Sequence, residues 1–237
     1  MRKRVLSLLV GGLLLALLLP SLAGCGSKPQ AKPSAITYVV YADPMVDWDP
    51  AKSWAAEIVF MQNVYETLVR IDPLDNNKFI PVLATSWEES PDHLKWTFHL
   101  REGVKFHSGK VLTAEMAAKS LQRTIDMKKS STYIWDGVKN IKATDPLTLE
   151  FELSRPLPML YIVSSAYAAY IYNPEYDTDW YTQPNADGTG PYKFVSYKKD
   201  SELILQRFPD YWGGWDNASH KFEYAIIKTV AEPATRR

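Results

Sequence analysis

Histidine and cysteine are the side chains through which this 237-residue chain could do metal or bond chemistry, and both are scarce. The four histidines are His93, His99, His107 and His220. His99 and His107 fall on or beside strand-like runs, with no second histidine or carboxylate at metal-ligand spacing. His99 is out of phase with Phe98 and Leu100, which puts it on the solvent side of its strand. No Gly-x-Ser-x-Gly, His-Glu-x-x-His or P-loop sequence occurs, so nucleophilic or metal hydrolysis has no residue set to rest on. Gly188-Thr-Gly-Pro-Tyr192 is glycine-rich, yet no helix follows whose N-terminus could hold an anion. It reads as a tight turn whose glycines take positive φ and whose proline fixes the entry into a strand. No catalytic residue, metal or cofactor is expected.

Cys25 is the single cysteine, which excludes an internal disulfide and a multi-cysteine metal site. Its position decides its chemistry. Arg2, Lys3 and Arg4 form a basic start, and Val5 to Leu19 is an uncharged apolar run. That run is short for a membrane span and suits a signal-peptide core. Leu22-Ala-Gly-Cys25 then places small residues before a thiol, an arrangement similar to the lipobox of bacterial lipoproteins. On this reading residues 1–24 are a signal peptide, Cys25 is lipidated, and residues 25–35 are a flexible tether. Two or three acyl chains, at about 0.8 kcal/mol per buried methylene, make a firm anchor. The expected location is extracytoplasmic, at the bacterial membrane, in the periplasm or on the outer face of the cell membrane.

Loss of the three basic residues of the leader takes the net charge from 0 to −3. With no basic stripe in the remainder, nucleic-acid binding is not indicated. The 46% apolar and 13% aromatic content suffices for a substantial core. Trp54, Tyr133, Trp135, Tyr167, Tyr170, Tyr172, Trp180 and Tyr181 exceed what such a core needs. Large amphipathic rings are what pockets use to hold varied ligands.

The elements that must position these residues follow from periodicity. Ile36 to Tyr41 reads as a buried strand, Asp43 to Pro50 as an irregular loop, Trp54 to Leu68 as a helix and Leu74 to Lys78 as a turn. Trp96, Phe98 and Leu100, then Val104 and Phe106, alternate as two half-buried strands bent at Gly103. Thr113 sits where an N-cap belongs, and Ala114, Ala117, Ala118, Leu121 and Ile125 share one helical face. Lys128 to Ser131 reads as a surface loop. Leu147, Leu149, Phe151 and Leu153 alternate with Thr148, Glu150 and Glu152 in a clear strand. Pro156 to Ala166 reads as a helix, Tyr192–Tyr197 and Glu202–Phe208 as a hairpin, and Tyr224–Val230 as a last strand buried in its middle. Interspersed strands and helices of differing spacing give a mixed α/β (α+β) fold.

Several short motifs occur in a telling order. They are Asp49-Pro50, Val64-Tyr-Glu-Thr-Leu-Val69, Leu83-Ala-Thr-Ser-Trp87, and Trp96-Thr-Phe-His-Leu-Arg-Glu-Gly-Val-Lys-Phe106 with Gly109 and Leu112-Thr-Ala-Glu115. Asp187-Gly-Thr-Gly-Pro-Tyr-Lys-Phe194, Arg207-Phe-Pro-Asp-Tyr-Trp-Gly-Gly214 and Glu232 to Arg236 follow. Together they resemble the bacterial extracellular solute-binding protein family 5, the binding lipoproteins of ABC importers for oligopeptides, dipeptides, nickel and some sugars. Met116, where an Asp is usual, and Phe208-Pro209, where Asn-Pro is commoner, depart from the pattern.

The resemblance implies a periplasmic-binding-protein type II-like fold whose two lobes close on a ligand. Residues 36–62 and 154–237 would form an incomplete lobe I core and 63–153 its inserted subdomain, with the second lobe absent. One wall alone would then bind weakly or not at all. The resemblance also implies ligand contacts from Ser53, Trp54 and Ala55 and from Tyr133 with Trp135. Its implied partners are a peptide or other small solute, ABC permease subunits with cytoplasmic ATPases, and the membrane through the lipid anchor, for a monomer. Binding of a nickel chelate, haem or an oligosaccharide by the same fold, or peptide sensing without transport, stays open.

Overall fold

The computed structural model describes residues 33–129, 131–216 and 222–232. The leader, Cys25, most of the tether, Ser130, His220 and the segment from 233 onward lie outside the described residues. What is described is a mixed α/β fold with two hydrophobic cores.

The first core forms around an antiparallel sheet. Its strands are β4 (Ala84–Glu89), β5 (Lys95–Leu100), β6 (Val138–Asp145) and β7 (Thr148–Leu153), in the order β4-β5-β7-β6. Trp96, Phe98 and Leu100 of β5 pack beside Leu149, Phe151 and Leu153 of β7, all buried. The alternation that marks these strands is the sheet's inner face. Helix α2 (Ala114–Met127) covers it with Ala114, Ala117, Ala118 and Leu121. Thr113 caps the helix, its hydroxyl accepting from the Met116 N–H at 3.2 Å. His99 lies on the outer face, near Glu88 across the β4–β5 pair.

The second core lies under a sheet of β1 (Ala35–Val40), β8 (Tyr192–Lys198), β9 (Glu202–Arg207) and β10 (Tyr224–Thr229), in the order β1-β10-β9-β8. β1 runs parallel to β10, and the other pairs are antiparallel. Helix α1 (Ile58–Val64) packs against this sheet through Phe60, Met61 and Val64.

Six sequence expectations need correction. β1 forms as an edge strand, but both of its faces, Ile36 and Tyr38 on one and Val39 on the other, are exposed among the described residues. The helix expected over Trp54–Leu68 spans only Ile58–Val64; beyond it Tyr65 is extended and Glu66 pairs with Ile171. Leu74–Lys78 is mostly strand: Asp72 accepts from the Leu74 N–H at 2.9 Å, closing a turn between β2 (Val69–Asp72) and β3 (Asp75–Pro81). Val104 and Phe106 are buried without forming a strand, since only Lys105 bridges to Val111. The helix expected over Pro156–Ala166 shrinks to α3 (Met159–Val163). β4 and β6, whose inward residues are interrupted by polar ones, carry too little alternation to be found in the sequence.

The sixth correction concerns Gly188-Thr-Gly190. Neither glycine has positive φ. A Cβ on Gly188 would lie 2.0 Å from the Val64 carbonyl oxygen, and one on Gly190 2.6 Å from that of Asn63. Both glycines exist so that this loop can touch the end of α1, where the Gly190 N–H donates to the Val64 oxygen at 2.9 Å. Gly188→Ala should therefore lower the unfolding free energy by about 3 kcal/mol in urea titrations. A loss of only a few tenths would show that the contact relaxes freely.

Candidate functional site

The loop before α1 is built by its own acids. Asp43 accepts from the Met45 N–H (2.9 Å), the Tyr197 hydroxyl (2.6 Å) and the Asp200 N–H (2.8 Å). Asp47 accepts from the Asp49 N–H, and Asp49 from the Ala51 N–H, both at 3.0 Å. Trp48 wedges edge-on among Phe60, Phe194 and Tyr197. Fully buried Asp49 also receives both Arg123 nitrogens, at 2.8 and 2.7 Å. These contacts leave the backbone of the loop little freedom.

Ser53, Trp54 and Ala55 end this loop. Ser53 is buried and Ala55 half-buried, while Trp54 is 64% exposed. The Trp54 N–H donates to Glu57 Oε1 at 3.0 Å, and Glu57 is itself buried at the start of α1. An indole is thus held out on a fixed backbone, which suits it to stack on a ligand at small entropic cost.

The second expected group separates. Tyr133, in the short 3-10 turn Thr132–Trp135, is 77% exposed and lines a cleft of about 340 Å³ with Asp136, Arg155, Pro158 and Tyr161. Trp135 is 2% exposed. Its indole N–H donates to the Ala168 oxygen at 2.9 Å, and its ring lies parallel to Phe151, 6.1 Å away. The structure places Trp135 inside the first core. The cleft at Tyr133 does not include Trp54. Three more of the surplus aromatics are also interior: Tyr170, Tyr172 and Tyr181 are buried, while half-buried Trp180 stacks on Tyr176 at 3.9 Å.

A polar centre that sequence reasoning missed is Glu66. Its buried carboxylate accepts from the Thr189 hydroxyl (2.8 Å), the Tyr211 hydroxyl (2.9 Å) and the Trp212 indole N–H (2.8 Å). Burial pushes its pKa up, against the pull of these donors and of Arg101. Beside it opens a cleft of about 390 Å³. The available signal was that the set falls in three separate motifs, Glu66 in the first, Thr189 in the second, and Tyr211 with Trp212 in the third.

His107 is the second missed group. Its backbone N–H donates to the Gly188 oxygen, and its ring Nε2 lies 2.9 Å from the Gly190 oxygen. A carbonyl only accepts, so Nε2 carries the proton and Nδ1 is the bare nitrogen. Nδ1 is enclosed without a hydrogen-bond partner among the described residues. Burial lowers the imidazole pKa to about 4, with Gly190 and Asp187 opposing and Lys193 assisting. Asp187 is occupied by the Ser108 N–H, the Asn173 amide and the Tyr176 hydroxyl. No group of three or more His, Cys, Asp or Glu suited to a metal ion occurs among the described residues.

Because its folded-state pKa lies below the ordinary 6.5, His107 stabilises the fold fully above pH 6.5, and that contribution is lost as pH falls towards 4. His107→Gln keeps a donor for Gly190 without titrating. Between about pH 7 and pH 5 its urea midpoint should fall less than the parent's, the imidazole contributing up to ~1.4 kcal/mol per pH unit. Parallel pH profiles would contradict the assignment.

Residues 78–237 match bacterial extracellular solute-binding proteins, family 5 Middle. Di/tripeptide-binding protein 4 of Pseudomonas aeruginosa (strain UCBPP-PA14) is 32% identical over 180 residues, covering 65% of this chain and 33% of that protein. The binding protein DppA from Helicobacter pylori, solved with the peptide STSA, superposes with a TM-score of 0.68 at 27% identity, over 86% of this chain and 44% of that one. NikA from Brucella suis, solved with Fe(III)-EDTA, gives 0.74 over 85% and 40%; at 22% identity it shows the fold alone. The chain spans less than half the length of these proteins.

Proposed function

The chain belongs to the bacterial extracellular solute-binding proteins of family 5, and from that premise we propose that it captures short peptides outside the cytoplasmic membrane for an ABC importer. In this reading it hands them to a permease driven by cytoplasmic ATPases and performs no bond chemistry. Cys25 carries the lipid that holds it at the membrane. The observation that carries the reading is Trp54: a large exposed indole on a backbone fixed by Asp49, Arg123 and Glu57. Such a platform binds through stacking and main-chain contacts, which tolerate varied side chains. The di/tripeptide-binding relative and the neighbour solved with a peptide support peptides as the solute class. Ser53 and Ala55 flank the platform and Tyr133 is a second contact. We assign Trp135 to holding the turn that presents Tyr133.

Titration with Ala-Ala and Ala-Ala-Ala, followed by indole NMR signals, tests this even when affinity is low. The Trp54 signal should move saturably, and Trp54→Ala should weaken binding at least about tenfold, the equivalent of 1.4 kcal/mol. Trp135→Ala should instead lower thermal stability, by about 3–5 kcal/mol for an emptied aromatic site. A Trp54 signal unmoved by millimolar peptide would sink the proposal.

The anchor is tested separately. In bacteria the parent chain should partition into detergent and take up labelled palmitate, whereas Cys25→Ser should do neither. Label in the serine variant would place the lipid elsewhere.

A further inference from the structure

We propose that the cleft between Arg70, Tyr170 and Glu66 is a second binding site, taking a small organic carboxylate with a short apolar body. It does not rest on the peptide reading, because the cleft lining includes neither Trp54 nor Tyr133. At about 390 Å³ it falls within the range of small-molecule pockets.

Its polar groups are unevenly matched. Tyr170 is only 3% exposed, and its hydroxyl has no hydrogen-bond partner among the described residues. The same is true of the neighbouring Tyr65 hydroxyl, 1% exposed. Arg70 is exposed on β2 and lines the cleft without an ion pair among the described residues. A buried hydroxyl left unpaired is costly, and a ligand that accepts from it removes that cost.

Glu66 does not supply the missing acceptor. Both its oxygens already take donors from Thr189, Tyr211 and Trp212, and Arg101, stacked 4.2 Å over the Trp212 ring, offsets its charge. Among the described residues, Tyr65 and Tyr170 thus keep spare donors beside the cleft, and Arg70 lines it as a cation without an ion pair. A planar carboxylate matches a guanidinium through two parallel N–H bonds. Pro81, Val82 and Pro191 line the rest and would cover an alkyl chain of a few carbons.

Butyrate is the probe, titrated into the 237-residue chain at fixed ionic strength, with calorimetry and the Arg70 Nε–H NMR signal as readouts. The expected result is one saturable site with a dissociation constant of about 1 mM or below. 1-Butanol and inorganic phosphate should bind at least tenfold more weakly. Arg70→Gln, an exposed position, and Tyr170→Phe, which keeps the buried ring, should each cost about tenfold, as loss of a charge-assisted or buried hydrogen bond does. Trp54→Ala should leave butyrate affinity unchanged. Absence of saturation overturns the site, and so does unchanged affinity in both cleft variants. Phosphate binding as tightly as butyrate overturns the ligand class.

Discussion

Asp49 and Arg123 form the contact on which the remaining architecture turns. Arg123 projects from α2, which belongs to the first core, while Asp49 sits among Trp48 and Ala51 of the second. Two parallel hydrogen bonds join them, and the guanidinium also lies 4.0 Å from the centre of the Tyr181 ring and bonds the Tyr172 hydroxyl. Tyr172 in turn donates to the Ser120 oxygen on α2. Removing one partner of such a pair strands the other charge where water is scarce, at a cost of about 3–5 kcal/mol. The pair does more than join two cores. It fixes the middle of the loop that carries Trp54, so a helix of one core sets the shape of a surface on the other.

A second knot works in the same way with different chemistry. The loop 187–190 is gripped by His107 from one side and by Glu66 and the end of α1 from the other. Motifs far apart in the chain, Tyr65-Glu-Thr, Phe106-His, Gly188-Thr-Gly and Tyr211-Trp, therefore meet in one small volume. This explains why the chain carries so many distinctive short motifs: they mark junctions where polar groups must be paired inside a protein.

Legibility in the sequence follows from how local each cause is. β5, β7, the hairpin of β8 and β9, and the Thr113 cap depend on residues a few positions apart, and period and capping chemistry reveal them. The length of α1 is set by Gly190 and Ile171, more than a hundred residues downstream, which no window could show. The acids of the Asp43–Pro50 loop were visible as a loop, but their pairing with Tyr197 and Arg123 was not. Tyr133 and Trp135 are alike in sequence and opposite in burial, because the inward ring is chosen by partners as distant as Phe151 and Ala168. The purpose of Gly188 and Gly190 is hidden from the sequence for the same reason. Close approach and positive φ leave the same residue type behind.

The pairing of β1 with β10 has a consequence for how the protein comes into being. Ala35 lies beside Tyr224, so the first described strand finds its neighbour only after nearly all the described chain has been made. The β8–β9 hairpin and the β5–β7 sheet close over much shorter loops and can form early. Closing the longest loop last means that β1 waits as an unpaired strand bearing Ile36, Tyr38 and Val39 until β10 is made. A chain made from its N-terminus thus has a built-in interval in which that sheet cannot be complete.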